Sequence, residues 1–451
     1  MNQAASTATT KYRTEPEETD GYPRGIPYIV GNEAAERFSY YGMRTILVVF
    51  MTHYLRDATG ALAPMSEPDA MVWYHTFTAS AYALPLVGAI VSDVFTGKYP
   101  IIVALSLVYC AGHGALALDE TRLGLAVGLG LIAIGAGGIK PCVSAHVGDQ
   151  FGARNEHLME RGFAWFYFAI NAGSLISTLL TPVLLKEHGS RMAFGVPGVF
   201  MGLATLAFWL GRHHFAHIPP GGKRVLDDLR SAEVRAMVLR VIPLILFISV
   251  FWSLYDQNGS AWVLQAERMD LEFLGHTWLA EQIQAVNPVL VLVFIPLFSY
   301  ALYPAISKVF PLTPLRKIGI GFVLMVLTFG ISAFIEARLA TGVRMSIGWQ
   351  ILAYAVLTAS EVMVYGTGLS FFYEQAPNRL KSFVMGLFLL AVSIGNVFTA
   401  LVNELIQDAH GKSRLDGPSY YLFFAALMLV TTALFSGYAA RYREHRFVQG
   451  A

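Results

Sequence analysis

The chain has 451 residues, of which 55% are hydrophobic and only 14% are charged, whereas a soluble domain usually has about 25% charged residues. Its net charge of +1 gives no basic excess of the kind that binds nucleic acid. Cys110 and Cys142 both lie in apolar stretches, which excludes a disulfide framework and the paired spacing of a zinc site. The composition therefore indicates a membrane protein.

Apolar stretches of roughly 20 residues recur along the chain, and each is long enough to cross about 30 Å of hydrocarbon as a helix. A membrane barrel would instead show short segments of alternating polarity. We therefore predict an all-α polytopic membrane protein with twelve spans, near 26–55, 70–93, 99–118, 122–146, 162–185, 193–213, 240–266, 285–307, 317–338, 346–373, 381–406 and 418–440.

The twelve spans fall into two sets of six, which predicts two six-helix bundles. The first bundle covers residues 26–213 and the second covers residues 240–440. Residues 214–239 form a polar linker that contains Pro219-Pro-Gly-Gly222 and then a basic run. Residues 1–25 and 441–451 are the terminal tails.

The distribution of lysine and arginine predicts the orientation in the membrane. With both termini inside, the tails and the loops on the same side carry 20 basic residues, and the opposite loops carry 9. Excess positive charge stays on the cytoplasmic side. We therefore expect both termini to be cytoplasmic.

Seven charged residues lie deep within predicted spans. Each costs roughly 2.5–3.5 kcal/mol at a helix centre on insertion scales, so such residues usually face a cavity or a partner. They occur in both predicted bundles: Glu33, Glu36, Arg37, Arg44, Lys140, Asp256 and Glu361.

The first span carries a polar stripe. Helical spacing places six polar residues on one face, while the other face is apolar. A buried ion pair that locks two helices together is the structural alternative, although the stripe has more charges than one such lock needs. The stripe consists of Glu33, Glu36, Arg37, Tyr40, Tyr41 and Arg44.

Two further spans carry single titratable groups. His75 opens the second span with Tyr82 seven residues later, and a histidine in a membrane can couple to protons. The alternative is a neutral, hydrogen-bonded core histidine. Lys140 lies among small residues just before Pro141, where it would meet a carboxylate of substrate or protein, unless its role is purely structural.

Polar residues at one-turn spacing occur in three more helices, and an asparagine opens the eighth span. A lone asparagine in a membrane helix more often forms a hydrogen bond to a neighbouring helix than it binds a substrate. The spread of these residues over both bundles nevertheless predicts a site between them, where transporters build theirs. They are Tyr167 and Asn171, Trp252 and Asp256, Glu361 and Tyr365, and Asn287.

Several motifs resemble those of the proton-dependent oligopeptide transporter family. Glu33 to Gly42 reads E-x-x-E-R-F-x-Y-Y-G, which is similar to the family signature. The resemblance continues in family order to the end of the tenth span. The further motifs are Gly137-Gly-Ile-Lys140-Pro-Cys-Val-Ser, Phe166-Tyr-Phe-Ala-Ile-Asn171-Ala-Gly-Ser-Leu, Asp256-Gln-Asn-Gly-Ser and Phe372-Tyr-Glu-Gln-Ala-Pro377.

The resemblance implies a major facilitator fold, alternating access and a role for each site residue. Arg44 and Lys140, helped by Arg37, would hold a peptide carboxylate, and Glu361 with Asn171 and Asn287 would hold the amino terminus. Tyr40, Tyr41, Tyr82, Tyr167 and Trp252 would line the side-chain pockets. The proton-coupling candidates would be Glu33, Glu36, His75 and Asp256.

One departure from the family pattern concerns the gate. Ser299 stands where the pattern of the animal members has an acid that pairs with a base near Arg240. We expect Asp256 to take over the role of that acid. Relative to the same pattern, Tyr365 replaces a serine near Glu361, which would narrow the pocket there.

We therefore expect a proton-coupled symporter that imports di- and tripeptides, works as a monomer among membrane lipids and needs no cofactor other than the coupling proton. The compact chain suggests a bacterial inner membrane. The alternative is the same fold carrying another anion, such as nitrate or a modified amino acid. An enzyme, a receptor or a channel fits poorly because nucleophile motifs, paired metal-binding histidines and rings of like charge are missing.

Overall fold

The computed structural model of the protein describes residues 12–374, 381–408 and 413–442, and the described chain is almost entirely helical. A two-residue antiparallel hairpin pairs β1 (Glu272–Phe273) with β2 (His276–Thr277). The α-helices are α1 Ile26–Val49, α2 Glu67–Val91, α3 Lys98–Leu118, α4 Arg122–Gly148, α5 Met159–His188, α6 Ser190–Leu210, α7 Lys223–Leu229, α8 Ala232–Tyr255, α9 Ala261–Glu267, α10 Val286–Leu297, α11 Tyr303–Ser307, α12 Pro314–Ala340, α13 Gly348–Glu361, α14 Thr367–Glu374, α15 Lys381–Leu405 and α16 Pro418–Ala439.

Each of the twelve predicted spans corresponds to one helix or to one run of joined helices. Three spans are interrupted by short turns of another pitch. A 3₁₀ turn at Asp256–Gly259 joins α8 to α9, and π-turns at Phe298–Leu302 and Val362–Gly366 join α10 to α11 and α13 to α14. Such π-turns are often found at functional sites, and the second one directly follows Glu361.

Eleven helical segments of the described chain are long and apolar enough to cross a membrane, and α1 is not among them. The reason is its polar stripe, because four charged residues lower its hydropathy. Its 24 residues would still span about 36 Å at the usual helical rise. Residues of α4 and of the second half of the chain cover the stripe, since Lys140 lies over the Tyr40 ring and Asp256 pairs with Arg44. We therefore count α1 as the twelfth span.

Local signals begin several of the long helices. Ser66, Thr121, Ser231 and Thr313 each accept a hydrogen bond from a backbone N–H in the first turn that follows. These side chains satisfy donors that the helix leaves unpaired. The end of α2 lies very close to α4, where a Cβ on Gly88 would come 2.5 Å from the Gly138 Cα. Glycine at both positions allows the contact.

The ends of the helices define two faces of the molecule. On the tail face, residues 12–25 pack against the start of the linker, where Arg13 Nη2 donates to the His214 carbonyl at 2.7 Å. The linker itself contains the short helix α7. On the far face, the loop after α1 bridges to the loop between α3 and α4 through Arg56 and Thr121.

The two halves of the chain, residues 26–213 and 240–440, contact each other on the far face. Gln284 Nε2 donates to the Thr45 carbonyl at 3.2 Å, and Gln282 Nε2 donates to the Leu179 carbonyl at 2.9 Å. These bonds attach the start of the eighth span to α1 and to the far end of α5.

The tail-face ends of α5 and α11 have a different environment. Trp165 and Phe168 of α5 are each 58% exposed, and five of the six residues from Phe163 to Phe168 are exposed. Tyr300, in the π-turn before α11, is 84% exposed. A helix that faces lipid on one side only would expose a single stripe. Exposure around these helices indicates that the halves separate here on the tail face.

Candidate functional site

The polar stripe of α1 begins with a cluster of two acids and one base, which we call the stripe cluster (Glu33, Glu36 and Arg37). Arg37 Nε donates to Glu33 Oε1 at 2.7 Å and lies 3.3 Å from Glu36 Oε2. Both carboxylates are buried. The Glu36 oxygens accept no hydrogen bond from any residue that the structure describes. The Arg37 guanidinium therefore contacts two carboxylates, and its contact with Glu36 is the longer one.

Lys140 lies two residues after the glycine-rich stretch of α4 that ends at Gly138, against aromatic rings. Its Nζ is 3.5 Å from the centroid of the Tyr40 ring and 4.8 Å from that of Tyr82. Within the described residues, Lys140 Nζ is buried without a hydrogen-bond partner and has no carboxylate in ion-pair range. Aromatic faces attract a cation but do not neutralise it. Lys140 is therefore a cation that can still bind an anion.

A second cluster joins the two halves, and we call it the bridging cluster (Arg44, His75, Asp256, Ser260 and Asn396). Arg44 Nη2 forms an ion pair with Asp256 Oδ1. Asn396 Nδ2 donates to Asp256 Oδ2 at 2.6 Å. Arg44 and Asp256 are 212 positions apart in sequence, so this ion pair ties the first span to the seventh.

His75 completes the bridging cluster and has a defined tautomer. Its Nδ1 lies 2.7 Å from Asn396 Oδ1, and its Nε2 lies 2.9 Å from Ser260 Oγ. The Asn396 amide donates to Asp256 with its nitrogen, so its oxygen must accept from His75 Nδ1. Nδ1 therefore carries the proton, and Nε2 of the neutral ring accepts from Ser260. Protonating His75 would require the Ser260 hydroxyl to turn.

Glu361 forms the acidic end of the site in the second half. Asn287 Nδ2 donates to Glu361 Oε2 at 2.8 Å and to Thr358 Oγ1 at 3.1 Å. Tyr255 donates from its hydroxyl to Asn287 Oδ1 at 3.4 Å. No lysine or arginine of the described chain forms an ion pair with Glu361. Glu361 is thus an oriented carboxylate without a cation.

Aromatic side chains surround these groups. Tyr40 meets Tyr41 edge to face at 5.5 Å between centroids, and Trp252 meets Tyr365 in the same way at 5.7 Å. The indole Nε1 of Trp252 is buried without a hydrogen-bond partner among the described residues. Tyr167 is 42% exposed. Such faces contact varied apolar groups without demanding one shape.

The structure brings most of the predicted residues into contact, with one exception. Asn171, expected beside Glu361, donates instead to the Tyr167 carbonyl of its own helix at 2.8 Å. Ser299 is exposed in its π-turn, and Arg240 forms no ion pair with a described residue. Asp256 forms its ion pair with Arg44 of the first half, and its expected role as a replacement gating acid stays a prediction.

Sequence reasoning missed two members of the bridging cluster. Asn396 and Ser260 are both fully buried, and each bonds to His75. The signal for Asn396 was present, because a polar side chain in the middle of a predicted span usually bonds to another helix. Ser260 lies within the Asp256-Gln-Asn-Gly-Ser run but has no property of its own that indicates a histidine partner.

Comparisons with known proteins identify the family of the chain. The model of the POT family, PTR2, matches residues 99–232 and 227–418. The chain is 40% identical to "Peptide transporter family 1" of Drosophila melanogaster, over 70% of this chain and 48% of that protein. It is 37% identical to "Solute carrier family 15 member 2" of Rattus norvegicus, over 70% of this chain and 49% of that protein. The chain thus spans about half the length of these curated relatives.

Solved structures match over nearly the whole chain. The crystal structure of the POT family transporter PepTSo superposes with a TM-score of 0.84 and 34% identity, over 93% of this chain and 98% of that one. An auto-inhibited POT family peptide transporter gives a TM-score of 0.85 and 34% identity, over 95% and 99%. The family model and these two structures agree, and the chain is an integral membrane protein that belongs to the POT family.

Proposed function

We propose that this protein is a symporter that moves di- and tripeptides together with protons by alternating access. One observation carries the proposal. Among the residues that the structure describes, Lys140 of the first half has no carboxylate partner for its buried Nζ, and Glu361 of the second half has no cation in ion-pair range. A short peptide has the matching pair of charges, one at each end. Binding a peptide between these groups would draw the two halves together.

Each end of the peptide would have its own set of residues. Lys140 would bind the carboxylate directly, with Arg37 and Arg44 adding positive charge nearby. Glu361, oriented by Asn287, would bind the amino group. Aromatic residues would contact the peptide backbone and side chains, namely Tyr40, Tyr41, Tyr82, Tyr167 and Trp252. Asn171 would also contact the peptide if its side chain released the Tyr167 carbonyl.

Proton coupling would use both charge clusters. Protonating Glu33 or Glu36 would release Arg37 from the stripe cluster. Protonating Asp256 would release Arg44 and so loosen the far face. His75, which Asn396 joins to Asp256 by hydrogen bonds, would be a second proton acceptor beside that pair. Because each protonation breaks an ion pair, proton binding and the positions of the halves are linked.

The energy available from one proton is large enough for accumulation. A membrane potential of about 100 mV supplies roughly 2.3 kcal/mol per charge, and one pH unit adds about 1.4 kcal/mol. Together these correspond to about a 500-fold accumulation of a neutral solute. The similarity to the Drosophila melanogaster peptide transporter supports peptides as the solute.

The orientation and setting also belong to the proposal. The 20-to-9 distribution of basic residues supports a cytoplasmic tail face with both termini inside. The tail face is then the side on which α5 and α11 separate. We further propose that the protein works as a monomer among lipids in a bacterial inner membrane.

Uptake of labelled dialanine into proteoliposomes tests the proposal. An inward proton gradient should drive accumulation in the wild-type protein and not in the Glu36→Gln variant, because that variant cannot exchange a proton there. Glu272→Gln, an exposed far-face acid in β1, is the matched control and should behave as wild type. If dialanine uptake is the same with and without the gradient, and the same in the Glu36→Gln variant, proton symport is rejected. Unlabelled dipeptides should compete, and nitrate should not.

A further inference from the structure

A group of five buried side chains on α1 and α3 carries polar atoms that no described residue hydrogen-bonds, and we call this group the inner cluster. All five side chains are at most 1% exposed. Native proteins leave few such atoms unpaired, and buried water is their usual partner. Within the inner cluster, only Glu36 belongs to the proposed peptide and proton site. The cluster consists of Asn32 and Glu36 of α1 and of Ser106, Tyr109 and His113 of α3.

Helix spacing and the neighbouring helix α6 bring the two parts of the inner cluster together. Its members are four residues apart on α1 and three and four residues apart on α3, so each part lies on one face of its helix. On the α1 face, Ser39 Oγ donates to the Pro197 carbonyl of α6 at 2.6 Å. On the α3 face, His113 packs against the next residue of α6, since a Cβ on Gly198 would come 2.8 Å from the His113 Cβ. The two faces therefore meet the same turn of α6.

The common turn of α6 also fixes the depth of each residue in the membrane. Both α1 and α3 run from the tail face to the far face, so one turn towards the tail face leads from Ser39 to Glu36 and from His113 to Tyr109. Glu36 and Tyr109 are thus at the same depth. Glu36 also has the largest electrostatic effect of any charged group on the Tyr109 hydroxyl. The unpaired hydroxyl therefore lies beside the unpaired carboxylate.

His113 has a proton-accepting nitrogen that no described residue uses. Its Nδ1 lies 3.2 Å from the Phe194 carbonyl oxygen. A carbonyl oxygen can only accept, so Nδ1 carries the proton of the neutral ring. Nε2 then has a lone pair, and no described residue donates to it. The Tyr109 ring lies next to the His113 ring, at 5.1 Å between centroids, and water can bridge two polar groups of this kind.

Uncharged residues of α4 and α6 cover this part of α3. Gly198 of α6 packs against His113, and Gly128 and Ile132 of α4 pack against the residue before it. A histidine among uncharged groups alone would stay neutral, so the negative charge of Glu36 is what would stabilise a protonated ring. The titratable side chains beside His113 are both on α3, namely Tyr109 and Cys110. The charged and titratable groups around Glu36 are Glu33, Arg37, Tyr41, Tyr109 and Lys140.

We propose that His113 is a second proton-binding site, which exchanges a proton with Glu36 through buried water and the Tyr109 hydroxyl. In this transfer, Nε2 of the protonated ring gives its proton through a bridging water to the Tyr109 oxygen, and the Tyr109 hydroxyl gives its own proton to the Glu36 carboxylate. The ring becomes neutral, Glu36 becomes protonated, and Tyr109 ends with the proton count it began with. The role of this exchange in coupling rests on the proposed function, whereas the proton-binding site does not.

Nitrogen NMR of the histidine rings tests the site without any transport. The protein is prepared with isotope-labelled histidine in lipid nanodiscs, and the His113 signal is identified by its absence from His113→Gln. Nε2 of His113 should take up a proton between about pH 4 and pH 8. Glu36→Gln removes the negative charge and Tyr109→Phe removes the connecting hydroxyl. Each change should therefore lower the proton affinity of the ring by about threefold or more.

A buried histidine and a buried tyrosine elsewhere are the matched controls. His146 of α4 is buried and also has an unpaired Nε2 among the described residues, but it lies against Phe215 of the linker. Its signal should not respond to either change in the inner cluster. Tyr354→Phe removes a buried hydroxyl of the second half, which donates to the Asn258 carbonyl at 3.1 Å. This variant should leave the His113 signal as in wild type.

Dialanine uptake into proteoliposomes tests the role of the site in coupling. His113→Gln should shift the pH of half-maximal uptake by about half a unit or more. It should leave the exchange of labelled for unlabelled dialanine unchanged when no proton gradient is present, because exchange needs no net proton transfer. His146→Gln should change neither property. Tyr109→Phe, which removes one oxygen atom, should shift the pH dependence as well, and it provides the test if His113→Gln does not fold.

Three results would overturn the proposal. They are a His113 ring that takes up no proton in this range, a proton affinity that neither Glu36→Gln nor Tyr109→Phe changes, and a pH dependence of uptake that is the same in both folded inner-cluster variants as in wild type. Proton binding by His113 that depends on Glu36 and Tyr109, in a protein that takes up no dialanine, would reject the proposed function alone.

Discussion

The stripe cluster and the bridging cluster both include residues of α1, but their partners differ. In the stripe cluster, Arg37 bonds to acids of its own helix. In the bridging cluster, Arg44 bonds to Asp256 of the other half. A change of charge in the first cluster alters what Arg37 can bind. A change in the second alters whether the halves stay joined. Buried charges on one helix thus form ion pairs of two kinds, one within the helix and one between the halves.

The largest expected effect follows from breaking the bridging cluster. Arg44→Ala leaves the Asp256 carboxylate buried without its cation, and removing one partner of a buried pair costs about 3–5 kcal/mol. We expect a large fall in the thermal midpoint, measured by scanning fluorimetry in detergent, and no peptide uptake.

The double variant Arg44→Ala/Asp256→Asn is the control for this prediction. It should recover most of the stability, because it has no unpaired charge, yet it should not recover coupled uptake. An Arg44→Ala protein as stable as wild type would show that Asp256 does not depend on Arg44.

An intermediate effect is expected from Asn396→Ala. Asn396 and Asn403 are both buried on α15, and each donates to the backbone carbonyl four residues earlier at 2.9 Å. Only Asn396 also joins Asp256 to His75. Loss of a buried hydrogen-bonding group costs about 1–3 kcal/mol, so Asn396→Ala and Asn403→Ala should lose similar stability. Only Asn396→Ala should change the dependence of dialanine uptake on external pH. If both variants change this dependence equally, the contact between Asn396 and His75 has no role in proton coupling.

The smallest effect is expected at the exposed rim of the far face. His53 Nε2 lies 3.0 Å from Glu267 Oε1, and this pair also joins the two halves. Exposed pairs contribute about 0.2–1 kcal/mol. His53→Gln should therefore change the rate of dialanine uptake by less than about fivefold, and the difference should shrink in high salt. A complete loss of uptake would mean that the rim, and not the bridging cluster, controls this face.

The sequence was sufficient to predict the helices and many of the polar residues that contact one another. Apolar runs indicated eleven of the spans, because a membrane requires about 20 apolar residues wherever a helix crosses it, and α1 was predicted as well although four charged residues lower its hydropathy. Helical spacing also predicted the polar stripe of α1, and the structure places Arg37 within ion-pair distance of Glu33 and Glu36.

The partners of the site residues were not predictable in the same way. Whether Arg44 would bond to Asp256 or bind substrate depends on how closely two distant helices approach. Lys140 could equally have met an acid, and its contact with the rings of Tyr40 and Tyr82 follows from the packing of α4. Asn171 donates to the Tyr167 carbonyl, one turn earlier in its own helix, at 2.8 Å. Tertiary packing determines these partners, and the spacing of residues along one helix gives no information about that packing.

The central claim is that Lys140 and Glu361 bind opposite ends of one peptide. It is tested most directly by measuring the affinities of dialanine, N-acetyl-dialanine and dialanine amide for the wild-type protein, Lys140→Gln and Glu361→Gln. A hydrogen bond to a charged group contributes about 1.5–3 kcal/mol, which corresponds to roughly 10- to 150-fold in affinity.

Lys140→Gln should lower the affinities for dialanine and N-acetyl-dialanine by that factor. It should leave the affinity for the amide unchanged, since the amide has no carboxylate for Lys140 to bind. Glu361→Gln should lower the affinities for dialanine and for the amide and leave the affinity for the N-acetyl peptide unchanged. If each variant weakens all three peptides equally, or neither weakens any, these two residues do not bind the peptide ends.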